Sequence, residues 1–279
     1  MNMLTECETF RDLVSAPDEA IDLAGAALLF ARDEYPDLDV AAYRSMLQRM
    51  SDEARPRVAR VIGNPFAAID ALNTYLFSEQ GFRGNHAEYF DPRNSFLNEV
   101  LDRRRGIPIT LSLVYMEVAA GAGFPVQGVG FPGHFLVRHA SGDRELLIDP
   151  FHGGEILLAE DCRKRLALAY GDQVPLEARF FKTAGKRAIL TRMLQNLLHV
   201  YAQAQDHERV LRVVERLGDL APGSPHHLRD RSAAHAGLGH YARALSDLER
   251  YLLVAPGASD AAEVRGQIKS LRRLTASLN

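Results

Sequence analysis

The 279-residue chain is 47% hydrophobic and 25% charged, with a formal net charge of −3, the profile of a soluble globular protein with room for two domains. That balance carries no basic footprint for nucleic acid or an anionic membrane, and no apolar run approaches the roughly 20 residues that span a bilayer. The N-terminus, MNMLTECETF, is acidic and lacks a signal peptide's basic start and apolar core, so a cytoplasmic location is expected.

Only Cys7 and Cys162 are present, with no CxxC and no metal-ligand spacing; no metal and no other cofactor is expected. Residues 15 to 82 read as helices. Ser15 with Pro17, Asp18 and Glu19 opens the first, in which Ile21, Ala24, Leu28 and Ala31 recur at helical spacing. A second runs from Asp39 with Val40, Tyr43, Leu47 and Met50 inward, and a broken helical stretch continues past Arg55-Pro56. Asn64-Pro65 caps another, carrying Ile69, Leu72 and Leu76. These helices read as scaffold. The loop that follows holds His86, Glu88 and Asp91, donor types that serve metals, but no periodicity sets them on one face and a plain loop is the favoured reading.

The stretch from Asn94 to Gly154 organises the chain. A helix starting near Asn94-Ser95 buries Phe96, Leu97, Val100 and Leu101, and its last turn carries Arg103 to Arg105, where the macrodipole favours cations. Asn98 and Asp102 both lie on this helix, either one able to face a pocket. Pro108, suited to a first helical turn, opens an apolar helix through Thr110 and Ser112 that Gly121 and Gly123 stop. Phe124 to Phe131 then reads as extended, and His134 to His139 with Leu146 to Asp149 reads as a hairpin about Ser141-Gly142.

A two-residue loop at Ser141-Gly142 pairs Ala140 with Asp143 and sets His134 opposite Asp149, with Cβ atoms about 5 Å apart. Sliding the turn to Gly142-Asp143 keeps the two as diagonal neighbours on one face, whereas a one-residue slip separates them. A carboxylate beside an imidazole fixes its tautomer and raises its basicity, so the pattern proposes a His134–Asp149 dyad. His152, in the turn after Asp149, can reach the same pocket, although an uninvolved loop histidine is the plainer expectation. Cys162 stands near the start of a helix over 159–170, where a thiol can be activated or can pack as a small hydrophobe; the second reading is favoured.

The Phe180-Phe181 pair and a basic stretch (Lys182, Lys186, Arg187, Arg192) mark a domain boundary, with domains over 1–181 and 182–279. In the second, Ala221-Pro222 and Ala255-Pro256 stand 34 residues apart, the tetratricopeptide period, and the same offset relates Val210 to Ala244 and Leu217 to Tyr251. Two helix pairs and a capping helix over 259–278 are expected.

The order of helix opening, His-bearing strand and Asp-bearing strand resembles the papain-like, transglutaminase-like fold. GIPITLSLVY, PGHFLVR and IDPFHGG together look like the bacterial SirB family, which joins such a domain to tetratricopeptide repeats. The resemblance implies an α+β domain with a small antiparallel sheet, followed by an all-α repeat domain. It matches His134 to the catalytic His, Asp149 to the Asp and Ser112 to a small residue one turn into the helix. The nucleophilic Cys position holds Pro108.

Without a thiol, three readings stand. The leading one is a non-catalytic module that binds a protein or peptide partner through its repeats, and no nucleic acid or membrane. The second is a hydrolase or peptidase-like activity in which His134 and Asp149 act with Ser112 or water. The third is a pocket for a small molecule or peptide, lined from among Asn98, Asp102, Pro108, Thr110 and His152.

Overall fold

A computed structural model describes residues 9–141, 144–171 and 173–277. The chain divides into two compact units, one formed around Ala16–Met193 and one comprising Phe10–Ser15 and Leu194–Asn279.

In the first unit the opening helix is shifted from its expected start. Residues Asp18–Ala20 make only a 3-10 turn, and the helix (α2, Leu23–Ala31; α1 is the separate Phe10–Ser15) begins after Asp22, whose carboxylate accepts from the Gly25 amide at 3.0 Å. An Asx cap this close satisfies the orphan amides better than Ser15 can. Helix α3 (Val40–Ala59), capped by Asp39, continues through Pro56 rather than breaking there. Pro56 is exposed while Ala54 and Val58 are buried, so the missing amide falls on the solvent side and packing of the other face carries the helix on. Asn64 caps α4 (Pro65–Asn73), which runs into a π-helical turn, Thr74–Glu79.

Two short strands missed in the sequence, β1 (Arg83–Gly84) and β2 (Arg105–Gly106), pair in parallel. Between them lies α5 (Leu97–Arg103), which ends at Arg104 in the left-handed conformation, φ 58°. The Arg104 guanidinium lies over the Phe82 ring at 4.6 Å. Helix α6 (Pro108–Gly121) follows directly, and from Pro108 to Tyr115 every residue is buried. It packs against α3, α5, both short strands, the sheet and the turn after Asp149, which explains why its sequence is apolar on all sides.

The sheet is an antiparallel meander of β3 (Gln127–Val129), β4 (Leu136–Ser141), β5 (Arg144–Asp149) and β6 (Glu155–Leu157), in that order. The ladder pairs Ser141 with Arg144 and Val137 with Ile148, the register of the shifted loop rather than the one that pairs Ala140 with Asp143. Gly142 and Asp143 themselves lie outside the described residues. The shift is two in the pair sum and keeps side-chain parity, because Val137 and Ile148 are both fully buried and a change of face would expose them. Helix α7 (Ala159–Tyr170) closes one side of the sheet through Cys162 and Leu166, which cluster with Val129, Phe131, Leu136 and Leu157. The fold is thus α+β, with a small antiparallel sheet beside a buried helix.

Helix α8 (Lys186–Gln203) contains the division between the units. Beyond it the described residues are all helical: α9 (His207–Leu220), α10 (Pro225–Gly237), α11 (Tyr241–Val254) and α12 (Ala261–Ser277). Ala244, Leu248 and Tyr251 pack with Val264, Ile268 and Leu271. Among the described residues no helix is long and apolar enough to cross a membrane.

Candidate functional site

The start of α6 is built from main-chain hydrogen bonds rather than from reactive groups. Ile107 is extended and Pro108 takes the first helical position. Thr110 Oγ1 accepts from the Ile107 amide at 3.1 Å and donates to the Asn94 carbonyl at 2.8 Å. One turn on, the fully buried Ser112 hydroxyl donates to the Phe135 carbonyl at 3.5 Å, not to His134. Of the two polar candidates on α5, Asn98 is buried and its Oδ1 has no partner among the described residues, whereas Asp102 is exposed and accepts from the Tyr43 hydroxyl at 2.5 Å. Burial, aided by Asp102, pushes Tyr43 up to about 12. Asp102 is therefore turned away from the interior and Asn98 towards it.

His134 stands just before β4, and its amide donates to the Phe131 carbonyl at 3.0 Å. The carbonyl of His134 accepts from Arg192 Nη2 at 2.7 Å. Asp149 closes β5 with no exposed surface, and its Oδ1 accepts the amides of Phe151 (3.1 Å) and His152 (3.4 Å), capping a 3-10 turn with Pro150 at its first position. Its other oxygen is the focus of the site. Asp149 Oδ2 lies 2.9 Å from His134 Nε2, 2.8 Å from His152 Nδ1 and 2.9 Å from Arg165 Nη1. Burial alone raises a carboxyl group's pKa, but here the hydrogen bond and charge of His134, the His152 bond and the Arg165 charge outweigh it, and Asp149 is held below the usual carboxylate range.

The structure brings His134, Asp149 and His152 together in one side-chain cluster. It also adds Arg165, which bridges from Asp149 to Glu155 (2.9 Å). The signal for His152 is present in the sequence: an Asp-Pro cap folds the residue three positions on back over the carboxylate. Arg165 has no such signal, being one of several charges on α7. The aromatic rim also escapes local reading. His86 packs on Phe151 with ring centroids 4.4 Å apart and lies 5.4 Å from the His152 ring, while Tyr89 meets Phe151 at 6.0 Å.

His86, Glu88 and Asp91 do not assemble into a ligand set among the described residues; Asp91 instead caps a turn and pairs with Arg93 and Arg103. Cys162 is fully buried, and burial pushes its thiol up. Cys7 lies outside the described residues.

Against known proteins, the transglutaminase-like superfamily pattern matches residues 41–195 and a tetratricopeptide-repeat pattern matches residues 197–269. A UPF0162 protein of Xylella fastidiosa is 43% identical over 265 residues, 94% of each chain. A UPF0162 protein of Vibrio cholerae is 26% identical over 254 residues, 91% of this chain and 93% of its own. F-box only protein 21 of Mus musculus is 30% identical over 198 residues, 68% of this chain and 29% of that protein. No solved structure matches.

Proposed function

Because this chain belongs to the transglutaminase-like superfamily and carries tetratricopeptide repeats behind that region, we propose that it is a non-catalytic member of the fold acting in protein–protein interaction or regulation. Its domains are taken as 1–181 and 182–279, within a SirB-type group suggested by its three motifs and with a cytoplasmic site of action. The observation that carries this reading is the lack, among the described residues, of a nucleophile facing the dyad. Pro108 has no nucleophilic atom and no amide proton for an oxyanion hole. Thr110 and Ser112 direct their hydroxyls to main-chain carbonyls, and Cys162 is a buried, proton-retaining thiol.

One observation favours a second reading, hydrolysis by water. The His134 side chain is 13% exposed, and among the described residues its Nδ1 has no hydrogen-bond partner, so it could accept a proton from water while Asp149 steadies Nε2.

The two are separated by treating the purified chain with acyl-donor substrates and a thiol-reactive acyl probe, beside His134→Ala and Cys7→Ala/Cys162→Ala variants. The interaction reading expects no His134-dependent turnover or labelling. Turnover lost in His134→Ala but kept in the cysteine double variant supports hydrolysis by water. Labelling lost in both overturns the non-thiol premise. Capture experiments from the native cell then identify the partner.

A further inference from the structure

We propose that His134, Asp149 and His152 form a binding site for a first-row divalent metal ion, zinc being the best match to the donor set. This goes beyond the interaction reading and does not depend on it.

The three side chains offer His134 Nε2, Asp149 Oδ2 and His152 Nδ1 within 4.8 Å of one another. Asp149 Oδ2 is 2.9 Å from the first imidazole nitrogen and 2.8 Å from the second. At metal–ligand distances of about 2.0–2.1 Å, a tetrahedral zinc holds its ligand atoms about 3.3–3.4 Å apart. Binding an ion therefore opens the two contacts to Asp149 by about half an ångström and draws the imidazole nitrogens in around it, small side-chain rotations for the partly exposed His152. Two imidazoles and one carboxylate select zinc and its first-row neighbours over magnesium or calcium, which require oxygen donors.

Three nitrogen groups crowd one carboxylate oxygen, Asp149 Oδ2. His152 Nδ1 is 2.8 Å from Asp149 Oδ2 and also 3.0 Å from Arg165 Nη1, itself 2.9 Å from that carboxylate oxygen. With Nδ1 protonated, His152 and Arg165 both donate to Asp149 Oδ2 and stand 3.0 Å from each other as two neighbouring donors. Without that proton, Nδ1 accepts from Arg165 but turns a lone pair on the carboxylate. A divalent ion in the place of the Arg165 cation relieves this crowding, because His134, Asp149 and His152 then present lone pairs to one centre.

The supporting contacts have the character of an outer shell. Asp149 Oδ1 is held by two amides, and the His134 backbone is fixed by Phe131 and Arg192; such contacts orient ligands and tune affinity. The His152 side chain is 38% exposed, which leaves a solvent route and positions for water. Arg165 is the competing cation. It is held at its other end by Glu155, so displacement from Asp149 leaves its charge paired.

The test uses the untagged full-length chain, stripped with a chelator and titrated with Zn²⁺ against a chromophoric competitor and with Co²⁺ by visible absorption. One-to-one uptake and ligand-field bands of nitrogen-ligated Co²⁺ are expected. His152→Ala and Asp149→Asn should each weaken uptake at least about tenfold, with folding verified by circular dichroism. His152 sits in an exposed turn, so its variant keeps the test valid if Asp149→Asn unfolds. Arg165→Ala should tighten binding by removing the rival charge. No saturable uptake by the wild type, uptake indifferent to His152→Ala, or Co²⁺ retaining its six-water spectrum overturns the proposal.

Discussion

The Asn73 side-chain amide donates to the Gly154 carbonyl at 2.8 Å, tying the end of α4 to the turn that follows Asp149. Gly154 has φ 79°, and a Cβ placed on it would stand 2.0 Å from Asn73 Oδ1. The turn that aims His152 at the carboxylate therefore depends on a residue with no side chain.

Gly154→Ala combines a disfavoured backbone region with this clash. It should cost about 1–3 kcal/mol and appear as a lower denaturant midpoint, with the His152 imidazole resonances displaced. Gly153→Ala is the control: it shares the positive φ but meets nothing within 4 Å, so it should cost less.

Glu117, half-buried on α6, has a carboxyl group raised above its ordinary 4.5 by burial, partly offset by Lys186 and Arg44. The folded state then holds this proton more tightly than the unfolded state. Its effect on stability is therefore neutral at low pH and increasingly unfavourable as pH rises from the unfolded pKa through the folded one. Glu117→Gln should gain stability over the wild type as pH rises above the ordinary glutamate range, about 4.3, as read from unfolding midpoints at a series of pH values. A constant difference at all pH values would contradict this account.

The thiol of Cys162 is enclosed by Val129, Phe131, Leu136, Leu157 and Leu166 and retains its proton. In a Cys7→Ala background, a colorimetric thiol reagent should find essentially no reactive group in the native protein and one per chain in denaturant. Rapid native-state reaction would reopen the case for Cys162 as a nucleophile.

In the helical region, Ala244 is fully buried, and its carbonyl accepts from the Ser232 hydroxyl at 2.9 Å across the α10–α11 contact. Ala244→Leu must push these helices apart. Overpacking of this kind costs about 1–3 kcal/mol, and thermal unfolding followed by far-ultraviolet circular dichroism should show the loss.

The features that survive the passage from sequence to structure are those written in local chemistry. Asp39 and Asn64 announce their helices as caps, the 34-residue offset lays out α9 to α11, and period-two alternation makes His134 and Asp149 neighbours in either of the two hairpin registers. Features that depend on distant partners are not legible. Arg165 looks like any cation on a charged helix face until α7 is set against β5. The two-residue strands β1 and β2 are too short to show a period. The choice between Asn98 and Asp102 turns on Tyr43, a residue on another helix.

Helix α6 has a consequence for how the molecule assembles. Its partners lie as far back as α3 and as far forward as the turn at Phe151, and it has no broad polar face to show water in their absence. An isolated helix of this length is marginal in water, so its ordering must wait for contacts between segments remote along the chain. Such non-local closure slows folding and makes the helix part of the last unit to open. Its backbone amides should therefore be among the slowest to exchange with deuterated solvent, well behind those of α7, whose outer face carries the exposed Leu168 and Tyr170.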